Sequence, residues 1–162
     1  MNLLLNIAFS IHYISMKKLT YHPDLFPFWK EIEVRFRDMD PLRHANNAVF
    51  NTYFEEGRIA FTLTVPEMVA EMQAGKSFVL VKTTIEYIGQ ITYPMQILIG
   101  TGFTEIRNTS VVGVQAIFDK ETKKLLAFAE SVGVWFDTNR QRPTKFPDIP
   151  GIDRYKIALP DG

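Results

Sequence analysis

The sequence RDMDPLRHANN at positions 37–47 places two carboxylates, one imidazole and two carboxamides between an alternating segment and a long apolar one. The preceding segment, Glu31–Arg37, alternates apolar and charged residues, which is the pattern of a half-buried strand. In the following segment, Ala48–Thr64, apolar residues recur three and four positions apart, which predicts a helix roughly 27 Å long. Polar side chains concentrated at a helix entrance usually face a ligand, so this stretch is a candidate functional site.

The order of residues in this stretch predicts its local geometry. Because the residue before a proline avoids helical angles, Asp40 is expected to be extended at the mouth of the turn. Asn46 or Asn47 is expected to cap the helix, since an asparagine side chain accepts a hydrogen bond from an unpaired backbone N–H. A carboxylate would then lie beside free amides at the positive end of a helix. An acyl carbonyl placed there would be polarised, and Asp40 could attack it or activate water, so the pattern favours acyl transfer to water.

Segments 34–50 and 53–59 resemble the signature of hotdog-fold acyl-CoA thioesterases related to hydroxybenzoyl-CoA thioesterase. In that family a run of the form Asp-x-Asp-x-x-Gly-His-x-Asn-Asn precedes the central helix, and the second aspartate carries the catalysis. Asp40 holds that position here. The chain departs from the family at Arg43, where the family usually has glycine. Arginine there is expected either to reshape the pocket or to add a cation for the phosphates of the acyl carrier.

The resemblance implies an α+β hotdog fold, a curved antiparallel sheet of about five strands wrapped around one long central helix. It implies an acyl-CoA thioester hydrolase that releases free acid and coenzyme A, with helix N-terminal amides as the oxyanion hole. It also implies a homodimer or homotetramer whose active site is shared between subunits. Coenzyme A is then part of the substrate, and no separate cofactor is expected.

Asp40 and His44 are the predicted catalytic residues. Asp40 would act as base or nucleophile, and His44 would orient the thioester or the water, its alternative being an ordinary loop histidine. Asp38 lies two residues earlier in an extended segment, so it is expected on the opposite side, paired with Arg35 or Arg37. The predicted substrate-binding residues are Asn46, Asn47, Val49, Phe50, Tyr53 and Ser110.

Three alternatives to this assignment stay open. In a second hotdog branch a helical glutamate performs the hydrolysis, although Glu55 and Glu56 are explained more simply as a solvated helix face. A hotdog hydratase or dehydratase would pair a histidine with an acid across the dimer, and His44 is available, but the spacing does not resemble that family. An acyl-thioester-binding protein without activity is the third alternative, and Arg43 is the feature that favours it.

The composition of the chain limits the classes of partner that it is expected to bind. The chain has 162 residues, 46% of them hydrophobic, which suits one domain with one core. With 18 acidic and 18 basic residues, no charge argument supports nucleic acid or a membrane as a partner. Cysteine is absent, which removes disulfides, thiolate zinc sites and cysteine nucleophiles and fits a cytoplasmic protein. A lone His44 is not a metal site, so no metal is expected.

The pattern along the chain predicts a single domain at 16–138, which the resemblance implies is a hotdog domain. Residues 1–15 are apolar without a preceding basic residue, which fits a secretory signal poorly, so they are interpreted as an extension before a start at Met16. The tail at 139–162 is rich in proline and charge and is expected to be poorly ordered or peripherally packed.

After the central helix, Thr64 and Glu67 have the spacing of a capping box for a short helix at Glu67–Ala74, which Gly75 could close and which could act as a lid. Period-two segments separated by turn residues then predict antiparallel strands. Both faces of the last two are apolar, and a sheet with one face covered by a helix should alternate with polar residues, so a partner subunit is expected. The predicted strands are Phe78–Ile88, Met95–Ile106, Ser110–Asp119 and Leu125–Asp137.

Overall fold

The computed structural model describes residues 22–157, so the predicted extension at 1–15 lies outside the described part of the chain. These residues form six strands and two α-helices, joined by short 3₁₀ turns. No helix among them is long and apolar enough to cross a membrane. The elements are β1 (Phe28–Glu33), α1 (Asn47–Leu63), α2 (Pro66–Gln73), β2 (Lys76–Tyr87), β3 (Gln96–Ile106), β4 (Ser110–Asp119), β5 (Leu125–Asp137) and β6 (Arg142–Pro143).

All strand pairs are antiparallel, and the order across the sheet is β1-β3-β4-β5-β2, with the two-residue β6 added at the end of β5. The short turns between β3, β4 and β5 make these strands neighbours, as tight turns normally do. The sheet curls around α1, which confirms the predicted architecture of about five strands wrapped around one long helix. Among the described residues, strand β2 lies at one edge of the sheet and pairs with β5 alone.

Helix α1 packs one face against the sheet, as its apolar spacing predicts. Contact is closest at Gly57, where a Cβ atom would lie 2.7 Å from both Gln115 Nε2 and Ile99 Cγ2. Glycine is therefore what allows the helix to approach β3 and β4 so closely. The buried residues of α1 are Phe50, Tyr53, Phe54, Gly57 and Phe61.

The first strand ends earlier than predicted. The sequence pattern placed it at Glu31–Arg37, but β1 ends at Glu33, and a 3₁₀ turn occupies Phe36–Asp38. Local hydrogen bonding explains the difference, because the Asp38 carboxylate accepts the Arg35 amide and turns the chain there. Phe36 consequently leaves the apolar face of the strand and is 76% exposed.

The start of the second helix also differs from its prediction. Thr64 does not cap α2, because its hydroxyl donates to the Phe61 carbonyl and closes α1. Helix α2 begins instead at Pro66, whose fixed φ and missing N–H suit a first helical position, and no side chain caps it. Gly75 has a φ of +81°, which confirms that glycine ends this helix.

The domain extends beyond residue 138, the boundary that the sequence predicted. Phe146, Ile149 and Ile157 are buried, and the Ile157 amide donates to the Phe103 carbonyl. These apolar residues alternate with proline and charge, so their contribution to the core was not visible as a periodic pattern. The described part of the tail is therefore an integral part of the domain.

Candidate active site

The loop between β1 and α1 holds Asp40 in a closed turn. Asp40 Oδ1 accepts the Leu42 amide at 2.8 Å and the His44 amide at 3.3 Å. The Asp40 amide donates to the His44 carbonyl at 2.8 Å, and the Arg43 amide donates to the Asp40 carbonyl at 2.9 Å. The carboxylate is thus fixed by the backbone through one oxygen, while Oδ2 has no hydrogen-bond partner within residues 22–157.

Asp38 has a different, structural role. It is 4% exposed, and its Oδ2 accepts the Tyr53 hydroxyl at 2.8 Å and Arg35 Nε at 3.1 Å. Burial acts to raise the pKa of this carboxyl, but the hydrogen bonds from Arg35 and Tyr53 outweigh it, so the pKa is lowered. Burial, together with the Asp38 charge, raises the pKa of the Tyr53 hydroxyl. This cluster fixes the loop to α1 from inside the core.

The start of α1 is more fully bonded than the sequence indicated. Asn46 is the N-cap, and its Oδ1 accepts the Ala48 amide at 2.9 Å. The Val49 amide donates to the Asn46 carbonyl, and the Asn46 amide donates to the Asp38 carbonyl. Of the first backbone amides of α1, the Asn47 N–H alone has no hydrogen-bond acceptor within residues 22–157. The predicted set of oxyanion donors is thereby reduced to the Asn47 N–H.

Asp40 lies at a cavity of about 510 Å³ at the start of α1. His44, Asn46, Asn47 and Phe50 line the same cavity, so the structure brings together most of the predicted site residues. Its opposite wall is the segment 87–91, which was not among the predicted site residues. Tyr87 contacts Phe50 edge to face, with ring centroids 5.0 Å apart.

Three predicted substrate-binding residues do not line this cavity. Val49 packs against the core between helix and sheet, and Tyr53 is 1% exposed with its hydroxyl used by Asp38. Ser110 begins β4 at the end of the sheet away from the loop, whereas the opposite end, Asp119, lies by β1 and β3. At 3.3 Å per residue this strand separates Ser110 from the loop end by about 30 Å within one subunit.

Arg43 occupies a left-handed backbone position, with a φ of +63°. That is the conformation for which glycine is favoured, which explains the family's glycine in physical terms. We predict that Arg43→Gly raises the free energy of unfolding by about 0.5–1 kcal/mol, because it relieves the strained φ. Urea unfolding monitored by fluorescence measures this difference.

The matched control is Arg43→Ala, which removes the side chain but keeps a Cβ atom at the same φ. It is expected to leave the free energy of unfolding close to that of the native chain. A gain in stability of equal size in both variants would show that the guanidinium, and not the backbone, is the source of the strain.

Between residues 22 and 157, no three histidine, cysteine, aspartate or glutamate side chains converge on a point where an ion could be held.

A curled antiparallel sheet around one long helix, with a polar cavity where that helix begins, defines a hotdog domain. The family model of the thioesterase-like superfamily matches residues 34–151. The matched segment runs from the end of β1 through the cavity-forming loop and all of β2 to β6. The chain belongs to the thioesterase-like superfamily.

Individual relatives agree with this placement. The chloroplastic acyl-acyl carrier protein thioesterase ATL2 of Arabidopsis thaliana is 27% identical over 120 residues, which are 72% of this chain but 63% of that protein. A Thermus thermophilus thioesterase solved with coenzyme A and Zn is 27% identical, with a TM-score of 0.66 over 80% of this chain and 97% of that one. The 1,4-dihydroxy-2-naphthoyl-CoA thioesterase of Synechocystis is 18% identical, with a TM-score of 0.65 over 74% and 89%.

Proposed function

We propose that this protein hydrolyses acyl-CoA thioesters to a free acid and coenzyme A. The observation that carries the proposal is the Asp40 carboxylate, which the turn fixes at a cavity that Asn47, the first residue of α1, also lines. Membership of the thioesterase-like superfamily supports the reaction type. The names of the Arabidopsis and Thermus relatives support a thioester on a phosphopantetheine-type carrier, of which coenzyme A is the small-molecule form.

In the proposed mechanism, the acyl carbonyl oxygen accepts the Asn47 N–H, at the positive end of the helix. Asp40 Oδ2, the carboxylate oxygen that the turn leaves available, takes a proton from water as the water oxygen bonds to the carbonyl carbon. The C–S bond then breaks, and the proton reaches the departing thiolate. A variant of the same step has Asp40 attack directly and water release the acid. His44, which lines the same cavity, orients the thioester.

We further propose that the protein works as a homodimer paired through β2. This strand is an edge, and Val79, Leu80 and Val81 are exposed on it to 43%, 44% and 57%. An exposed apolar edge strand is a template for another strand, and natural monomers usually protect such an edge with charge or proline. Tyr87 at the end of β2 lines the Asp40 cavity, so a partner paired here would border the site.

We predict that Val81→Asp converts the dimer to a monomer and lowers thioesterase activity. Val81 lies at the β-bulge in the middle of β2 and is exposed in the single chain, so the substitution costs the folded monomer little. Across a twofold axis near the middle of the strand, the two new carboxylates would instead face each other. Size-exclusion chromatography with light scattering measures the mass.

Val81→Thr is the matched control, because it is nearly isosteric, carries no charge and should keep the dimer. If Val81→Asp retains the native mass, the subunits associate through another surface.

The experiment that tests the proposed reaction is a thiol-release screen over acyl-CoAs of varied length and aromaticity, repeated with acyl groups on a carrier protein. Release of free thiol supports hydrolysis, and the preferred carrier identifies the natural substrate form. Tight acyl-CoA binding without thiol release would favour a binding protein. Hydration of a 2-enoyl-CoA without thiol release would favour the hydratase alternative.

A further inference from the structure

A second cavity, of about 260 Å³, lies between the second half of α1, helix α2 and the sheet. Its residues on α1 begin about one turn after Phe50, and the two cavities share none of their lining residues. Most of its wall is apolar, and its floor includes Gly113, where a Cβ atom would meet nothing closer than 3.8 Å. Its apolar lining residues include Phe61, Leu63, Met68, Phe78, Phe103 and Phe146.

A fixed polar pair interrupts this apolar wall. Gln115 is 1% exposed, and its Nε2 donates to the Phe54 carbonyl at 2.9 Å and to Thr101 Oγ1 at 3.0 Å. These two acceptors orient the amide, so its Oε1 faces Arg58, which donates to it from Nη1 at 3.1 Å. The guanidinium is thereby held against the cavity by a neutral partner.

The charge of Arg58 is not neutralised by an ion pair within residues 22–157. Burial lowers the pKa of its guanidinium, and the charge of Glu55, one turn earlier on α1, only partly offsets that effect. Glu55 also lines the cavity but is solvent-exposed. A partly buried cation without a paired anion is costly, so an anion that entered the cavity could pair favourably with Arg58.

Ser131 provides a second polar group in the wall of the same cavity. It is 4% exposed, it lines the cavity, and its hydroxyl has no hydrogen-bond partner in the described chain. Buried hydroxyls are nearly always bonded, so this one is left able to bond with a water or ligand atom in the cavity. Ser131 pairs with Gly113 across β4 and β5, which places it on the open floor.

We infer that this cavity binds the distal end of the acyl group and selects acyl chains that end in a carboxylate, which Arg58 and Ser131 would bind. This inference rests on the proposed thioesterase function. An apolar wall with one guanidinium and one hydroxyl suits a methylene chain with a terminal anion, because guanidinium and carboxylate form charge-assisted hydrogen bonds.

The proposed dimer connects this cavity to the reacting end of the substrate. Ser77, Phe78 and Leu80 at the start of β2 line the second cavity, whereas Tyr87 at the end of β2 lines the Asp40 cavity. When a strand pairs antiparallel with its own copy, its start lies beside the end of the other. The thioester would therefore react at Asp40 of one subunit while the chain enters the cavity of the other.

The test compares thiol release from acyl-CoAs in matched pairs of equal chain length, one ending in a methyl group and the other in a carboxylate. The native protein is expected to show a higher kcat/KM for the carboxylate member at the length that reaches Arg58. Arg58→Met, which keeps the length and removes the charge, should lower the ratio of the two values roughly 10-fold or more. Arg58→Lys should retain part of the preference, and Arg142→Met, at an exposed site on β6, should leave the ratio unchanged.

A binding measurement separates this inference from the proposed reaction. Titration calorimetry with free dicarboxylic acids and with monocarboxylic acids of equal length needs no turnover, and the dicarboxylic acids are expected to bind more tightly to the native protein than to the Arg58→Met protein. Absence of thiol release from every thioester would remove the proposed function but leave this binding result intact. If the methyl-ended and carboxylate-ended acyl-CoAs gave equal kcat/KM at every length, and Arg58→Met did not change this ratio, the inference would be overturned although hydrolysis itself occurs.

Discussion

Asp40→Asn is expected to lower kcat for thioester hydrolysis by at least ~100-fold, since a positioned acid–base group typically contributes that much. The asparagine side chain can keep the oxygen that accepts the Leu42 and His44 amides, so the turn should stay folded. What it loses is the second carboxylate oxygen, the basic one that the turn leaves without a hydrogen-bond partner within residues 22–157. Thiol release measured at saturating acyl-CoA, with circular dichroism as a check on folding, gives the result.

Two further variants make this prediction specific. Asp153→Asn removes a carboxylate from an exposed 3₁₀ turn far along the chain and should leave kcat unchanged. Glu55→Gln examines the alternative in which a helical glutamate performs the hydrolysis. If kcat stayed at the native value in Asp40→Asn but was lost in Glu55→Gln, the catalytic residue would be Glu55 on α1.

Asp38→Ala is expected to reduce the free energy of unfolding by about 3 kcal/mol, because it leaves the buried Tyr53 hydroxyl without an acceptor and removes the ion-pair partner of Arg35. Tyr53→Phe should cost about 1–3 kcal/mol, since it takes a donor from a buried carboxylate. Because both changes break the same hydrogen bond, the double variant should lose less than the sum of the two. Urea unfolding of the four proteins measures the coupling.

The Asp38 carboxylate also predicts that the free energy of unfolding depends on pH. The pKa of Asp38 in the folded chain lies below its ordinary value of 3.8. Because the pKa of Asp38 is lower in the folded chain than in the unfolded chain, its ionised form stabilises the fold. This stabilisation is complete at a pH above the pKa in the unfolded chain and is lost as the pH falls through the pKa in the folded chain. In Asp38→Asn this part of the acid dependence should vanish, so its stability should fall less steeply below about pH 4. Parallel acid curves for the two proteins, or additive losses in the double variant, would contradict the role of Asp38.

Local sequence signals predicted the geometry of the chain around the start of α1, because adjacent residues determine that geometry. Asp40 before a proline, Asn46 as the cap and the start of α1 all follow from rules that span a few residues. The positive φ at Arg43 was also foreseeable, since the family's glycine marks such a position. These features need no knowledge of the rest of the fold.

Features that depend on strand register were not predictable in the same way. Ser110 was predicted to bind substrate, but the pairing of β3 with β4 places it at the end of the sheet away from Asp40 within one subunit. The Tyr87 wall of the cavity results from the pairing of β2 with β5, which no local pattern encodes. The polar pair Arg58 and Gln115 joins residues 57 positions apart and became visible only in the structure.

A crystal structure of Asp40→Asn with a bound acyl-CoA, which this variant turns over too slowly to consume, tests the proposed catalytic role of Asp40 most directly. We expect the carbonyl oxygen within hydrogen-bond distance of the Asn47 amide and residue 40 beside the carbonyl carbon, directly or through one water. A thioester carbonyl bound elsewhere, with the cavity at the start of α1 holding only solvent, would contradict it.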